Sequence, residues 1–209
     1  TIIDTAEAPT EANLDELRHG LAKTYQDAIK AFHDAGCRYL QLDDTSWGAL
    51  FSGRFREKIR ACGYDPDELI DVFGDITDEA LEGRPDDMVI TTHMCKGNFM
   101  SHWLYEGTYE TIARRLLAIR GFDGFFLEYD DERSGSFDPL KHLPADTDQR
   151  VVLGLVTTKN AEMENPDAIR ARIAEAAKIV PLERLCLSPQ CGFSSTEEGN
   201  SIAEQVQWD

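Results

Sequence analysis

The sequence has no surplus of positive charge to offer a partner: 21 lysines and arginines stand against 39 aspartates and glutamates, a net charge of −18 at pH 7. Duplex nucleic acid and anionic membrane surfaces bind proteins by exchanging counterions for protein cations, so neither is expected as a partner. No apolar run reaches the roughly 18 residues that a membrane-spanning helix needs. Thr1 to Thr10 has neither a basic start nor an apolar stretch and reads as carrying no signal peptide. The five cysteines are an odd and sparse set for a disulfide framework, which leaves each thiol to packing, metal binding or nucleophilic chemistry. No Gly-x-Gly-x-x-Gly follows any apolar run, so the dinucleotide-binding turn is missing. No repeat, low-complexity tract or linker divides the chain, and residues 1–209 are read as one domain. The absent initiator methionine and the stop at Trp208-Asp209 suggest a segment of something longer. An acidic chain of 209 residues, 42% hydrophobic, buries a sizeable core and is expected in the cytoplasm.

What is present is a recurring unit of helix and apolar strand. Between Asn13 and Ala35 the residues Leu14, Leu17, Leu21, Tyr25, Ala28, Ile29 and Phe32 recur with helical spacing, and Gly36 sits where a C-cap glycine belongs. Strands are expected at Cys37–Asp44, Met88–Cys95, Gly124–Asp130, Arg150–Thr158 and Arg184–Gly192. Helices are expected at Tyr109–Ile119, Pro166–Ile179 and from Thr196 onward, with further helical content between Phe51 and Arg84. Apolar runs, rather than alternating ones, separated by helices predict a parallel sheet covered on both faces. A doubly wound sheet and a β/α barrel both satisfy that pattern. The barrel is favoured because polar candidates sit at the ends of several strands. The expected fold is α/β, a (β/α)8 TIM-type barrel of which this chain supplies about the C-terminal five units.

The second strand ends in His93 and Cys95, the third carries Glu128, and the fifth runs into Cys191 before a glycine. An imidazole, two thiolates and a carboxylate form a zinc-type donor set, spaced for a site gathered across a barrel mouth and not for a closed finger. A core cysteine beside a loop histidine is the bland reading of His93 and Cys95, and the residues alone leave both readings open. Cys37 and Cys186 read as small buried hydrophobes, Cys62 carries no signal, His19 and His33 fall on solvated helix faces, and His102 belongs to a loop.

Together, Leu40-Gln-Leu-Asp43-Asp44, Thr92-His93-Met-Cys95, Phe126-Leu-Glu128-Tyr-Asp130 and Ser188-Pro-Gln-Cys191-Gly192 resemble the catalytic domain of the cobalamin-independent methionine synthases. The likeness is closer to their short, single-barrel branch and runs in the same order over nearly the whole chain. It implies zinc held by His93, Cys95, Glu128 and Cys191, and an acid at Asp43 that holds the amino group of homocysteine. It also implies the activity of a 5-methyltetrahydropteroyltriglutamate–homocysteine S-methyltransferase, in which methyltetrahydrofolate gives its methyl group to homocysteine and methionine forms. The ligand chemistry agrees. A free thiol, with a pKa of about 8.5, is a weak nucleophile at neutral pH and is deprotonated on binding Zn²⁺. Three anionic ligands leave the site net anionic, so a bound substrate thiolate keeps electron density for attack on carbon.

One departure stands out. In the full-length synthases a histidine ending the strand before the last ligand protonates the leaving folate nitrogen. Here that stretch reads Leu153-Gly-Leu-Val156-Thr157-Thr158-Lys159, so the general acid comes from elsewhere or the methyl donor needs none. No catalytic residue beyond the zinc site is assigned. Asp44 either orients substrate or solvates a strand end; Gly97 serves a tight turn; Trp103 and Tyr105 either stack on a flat donor or pack. Arg133 to Phe137 reads as a mobile loop over the mouth. Three alternatives compete: zinc-dependent alkyl transfer to another small thiol, as in epoxyalkane:coenzyme M transferases; a carboxylate hydrolase using Asp43 or Asp44 with Glu128; and a non-catalytic structural zinc. The acid at Asp43 favours a thiol that carries an amine.

Overall fold

A computed structural model describes residues 11–194 and 196–208; the Thr1–Thr10 stretch, read above as lacking a signal peptide, lies outside them. Helix α1 (Glu11–Asp34) ends on Gly36 at φ +95°. The N–H groups of Gly36 and Cys37 donate back to the carbonyls of His33 and Phe32 at 2.9 and 3.0 Å, so the helix closes in a Schellman motif that only glycine enters cheaply. There follow β1 (Tyr39–Asp44), α2 (Trp47–Phe51), α3 (Gly53–Ala61), α4 (Pro66–Leu81), β2 (Val89–Met94), α5 (Ala113–Leu116) and β3 (Gly124–Glu128). The chain ends with β4 (Arg150–Val156), α6 (Pro166–Ala176), β5 (Leu185–Pro189) and α7 (Glu204–Trp208). Helices α4 and α6 start alike: Asp65 and Asn165 accept the N–H of Asp67 and Asp167 at 2.8 Å, and a proline fills the first turn of each.

All five strands are parallel and lie side by side in chain order, β1-β2-β3-β4-β5, without a reversal. The α/β parallel sheet expected from the sequence is therefore present. Its core is formed by Ile90, Phe125, Leu127, Val151 and Leu153 of the inner strands against Trp47, Leu50, Ile112 and Leu116 from the connections. The register sets Asp43 beside His93 and Glu128 beside Gly154.

Five expectations change. The sheet is well covered only over β2, β3 and β4; β1 and β5, with one neighbour each, are half exposed, and Cys37 and Cys186 are half-buried with them. The helix expected at Tyr109–Ile119 is a 3-10 turn, Tyr109–Thr111, followed by the four residues of α5, because Tyr109 is drawn into the core where its hydroxyl accepts the Glu128 N–H at 2.9 Å. Between β3 and β4 there is no α-helix, only 3-10 turns at Glu132–Ser134 and Asp138–His142. The helix expected from Thr196 is a turn interrupted by Gly199 at φ +80°, and α7 starts at Glu204. On α1 the packed residues are Ala22 and Ile29, whereas Leu17, Leu21, Tyr25 and Phe32 of the predicted stripe are exposed. Contact with α4 runs instead through Gln26, which donates to the Glu79 carbonyl, and His19, which meets the Glu79 carboxylate. No helix among the described residues is long and apolar enough to cross a membrane.

A candidate metal centre

Parallel pairing brings the C-terminal ends of all five strands to one side of the sheet, and short overruns past those ends set the site. His93 leaves β2 one residue before its end and Cys95 one residue after it; Glu128 is the last residue of β3; Cys191 lies two residues beyond β5. A ring nitrogen of His93, both Sγ atoms and a carboxylate oxygen of Glu128 lie within 4.8 Å of one another. The Sγ atoms of Cys95 and Cys191 are 3.2 Å apart, Cys191 Sγ is 3.0 Å from Glu128 Oε1, and His93 Nε2 is 3.4 Å from the same oxygen. The four residues singled out in the sequence thus converge, although they span almost a hundred positions. Glu128 is 1% exposed and His93 6%.

Asp43 lies 2.7 Å from Nδ1 of His93 and leaves Nε2 facing the thiols, the usual way a carboxylate aims a ligating imidazole. Its carboxylate is 62% exposed, open to a second partner. Asp44 turns away to accept the Ser46 N–H at 2.8 Å, so it terminates the strand. Nε2 of His93 is buried and makes no hydrogen bond. An orphaned nitrogen facing two sulfurs and a carboxylate oxygen is the arrangement that a borderline-soft divalent cation satisfies.

The charges are strongly coupled. Burial works against protonation of His93, but the carboxylates of Asp43 and Glu128 and the neighbouring Cys95 outweigh it and hold the imidazolium up to about 10. A hydrogen bond from Cys191 holds the Cys95 thiol below its usual range, while that same bond, burial and the Glu128 charge push Cys191 well up. Of the two thiols, Cys95 is therefore the readier to lose its proton. Glu128 resists the upward pull of burial because His93, Cys191 and the Lys96 N–H all stabilise its charge, and it ends below the usual carboxylate range.

Several supports escape sequence reasoning. The Lys96 N–H donates to Glu128 Oε1 at 3.0 Å, and Gln190 reaches Oε2 at 3.4 Å while accepting the Thr158 N–H at 3.1 Å. The Asn98 amide donates to the Gly192 carbonyl at 2.7 Å and ties the two cysteine loops together. Adjacency to a ligand was their only signal: Lys96 follows Cys95 and Gln190 precedes Cys191. Gly97 does serve the expected turn, at φ +94°, and a Cβ there would meet the Leu104 nitrogen at 2.7 Å. Beside the centre opens a cleft of about 310 Å³ lined by Trp103, Asp130, Arg133, Thr157, Lys159 and Glu164. Trp103 is 42% exposed there with the Arg133 guanidinium over its ring at 4.7 Å, whereas Tyr105 packs against Phe55 and Phe51. The 133–137 segment, expected to be mobile, is packed down: Ser134 and Phe137 are buried. A second cleft of about 400 Å³, between α1 and the turn before β2, lies at the other end of the strands and meets none of these residues.

Comparison with known proteins places the chain in a family. Residues 1–207 match the family described as cobalamin-independent synthase, catalytic domain. Two Bacillus subtilis proteins, both named as uncharacterised, are similar to the chain: YxjH, 53% identical over 93% of this chain and 51% of its own length, and YxjG, 50% identical over 91% and 50%. A Listeria monocytogenes structure provisionally described as a vitamin-B12-independent methionine synthase superposes with a TM-score of 0.73 at 44% identity, covering 93% of this chain and 52% of that one. A B12-independent methionine synthase from Shewanella, solved with selenomethionine, shares the fold with a TM-score of 0.63 at 17% identity, over 90% of this chain and 50% of its own. The chain spans about half the length of the curated relatives it matches. On this match the chain belongs to the cobalamin-independent synthase catalytic-domain family.

Proposed function

We propose that this chain carries the zinc centre of a cytoplasmic methyltransferase that moves a methyl group from methyltetrahydrofolate to homocysteine and yields methionine. The observation that carries this reading is the convergence of the His93, Cys95, Glu128 and Cys191 donor atoms within 4.8 Å at the C-terminal ends of parallel strands. That is where barrel enzymes build their sites. The fold proposed is five units of a (β/α)8 barrel within one domain, residues 1–209. Strand order without a reversal supports it, as do the open edges of β1 and β5.

His93, Cys95, Glu128 and Cys191 would hold zinc, which when bound supplies a Lewis acid that keeps a substrate thiol deprotonated near neutral pH. The protein's own groups do the rest. Asp43 fixes the imidazole through Nδ1 and keeps an exposed carboxylate for the ammonium of homocysteine. The two thiolates and Glu128 would keep the centre electron-rich, favouring attack of the substrate sulfur on the methyl carbon; the donor's C–N bond breaks with its electron pair left on nitrogen, which takes up a proton as the substrate thiol gives one up. The indole of Trp103 offers the cleft an exposed flat face for the donor.

An acid at the mouth, where a sulfonate-bearing thiol would call for cations, supports homocysteine over coenzyme M. A purely structural metal is disfavoured by the exposed Asp43 carboxylate at the ligand shell, since structural sites are closed. Cys191→Ser tests the reading: the variant is expected to lose most bound zinc and all methyl transfer while keeping the far-UV circular dichroism of an α/β protein. Retained zinc and activity would contradict the assignment.

A further inference from the structure

Lys96 follows a ligand cysteine yet is fully buried, 0% exposed. Its ammonium donates to the Gly107 carbonyl at 2.9 Å and to Ser134 Oγ at 2.8 Å, and lies 4.6 and 5.3 Å from the ring centroids of Tyr109 and Phe51. No carboxylate forms an ion pair with it among the described residues. A buried ammonium without a counter-ion is costly, and a methionine would fill the same volume without that cost. Packing alone does not account for a lysine here.

The charge does have a counterpart one shell away. Burial, with the Arg133 charge, pulls the Lys96 ammonium down to about 8, and against that pull Glu128, whose carboxylate takes the Lys96 backbone N–H, then Asp131 and Asp130, favour the charged form. Tyr109 links the two: its ring faces the ammonium and its hydroxyl accepts the Glu128 N–H. The Lys96 carbonyl also takes the N–H groups of Leu104 and Tyr105, and through Ser134 the side chain clasps the loop after β3. One residue thus joins the segments that bear three of the four ligands.

Resting on the zinc-thiol reading above, we propose that Lys96 is an electrostatic positioning residue of the metal centre, its buried cation offsetting the two thiolates and Glu128 so that a further anion, the substrate thiolate, is admitted. Two thiolates and a carboxylate already exceed the charge of a divalent cation, and a third thiolate, that of the substrate, raises the excess. In a medium of low effective dielectric a fixed positive charge behind the ligands relieves that excess, whereas solvent at the mouth does so weakly.

The test compares the Co²⁺-loaded protein with its K96R and K96M variants, titrating homocysteine and following the sulfur-to-cobalt charge-transfer band, with Co²⁺ affinity measured by chelator competition. The expected result is homocysteine binding within threefold of the parent in K96R and at least tenfold weaker in K96M. A packing role predicts the reverse, K96M binding like the parent and K96R disturbed, and that result overturns the proposal. Ser134→Ala, which removes one acceptor of the ammonium, serves should K96M fail to fold: homocysteine binding weakened threefold or more supports the proposal, and an unchanged Kd overturns it. A parent protein that binds Co²⁺ but no homocysteine would refute the thiol-acceptor reading itself, an outcome distinct from equal binding by all variants.

Discussion

Asp43 shows how much of this centre depends on single contacts between strands. It stands beside His93 across the β1–β2 ladder and is 2.7 Å from Nδ1, so it selects the tautomer that presents Nε2. Asp43→Asn should weaken zinc binding about 10- to 100-fold, the usual cost of losing such a partner, as read by competition with a chromophoric chelator; an unchanged affinity would show that the pair does not orient the ligand. Protonation gives a second prediction. Before a cation binds, His93 holds its proton up to about 10 and Cys191 well above its ordinary range, so both must release protons on binding. Zinc affinity is therefore expected to rise steadily from pH 6 to pH 9 and to fall as pH drops, and a pH-independent affinity would contradict the ligand set. The ligands were legible as residue types at strand ends. Lys96 and Gln190 were not, because what distinguishes them is burial against Glu128, a contact made across separate strands.

At the scale of elements, the sequence speaks clearly where the signal is local. Helices α4 and α6 begin at an Asx cap followed by proline, and α1 ends on Gly36, all features of adjacent residues. The Tyr109–Ile119 stretch misleads because its apolar spacing is helical while its geometry answers to a hydroxyl contact with β3. Edge exposure of β1 and β5 is likewise invisible in an apolar run, since it depends on how many neighbours a strand acquires. The 97–105 loop is the element on which Cys95 depends. Its turn requires Gly97 at φ +94°, and the Gly97 N–H donates to Cys95 Sγ at 3.2 Å. Gly97→Ala combines backbone strain with a clash on Leu104, so a loss of about 1–3 kcal/mol is expected in urea unfolding, with reduced zinc content. A variant of parental stability and zinc content would mean that the loop conformation is unimportant to the centre.

At the scale of the whole molecule, the centre exists only because the sheet is parallel and in register. Its four candidate ligands come from β2 and its overrun, β3 and the overrun of β5, and Asp43 from β1, so no single helix–strand unit holds it. The parallel sheet was legible from five apolar runs, and strand-end positions made Cys95 and Cys191 candidates for one site; the family likeness turned that into an expected ligand set, since sequence distance says nothing of the register that closes it. The most direct test of the central claim is X-ray absorption at the zinc edge on the zinc-loaded protein, with and without homocysteine. The account predicts one zinc per chain with two sulfur ligands and the remainder nitrogen or oxygen, gaining a third sulfur when homocysteine is added. No zinc, or a two-sulfur shell that homocysteine leaves unchanged, would contradict it.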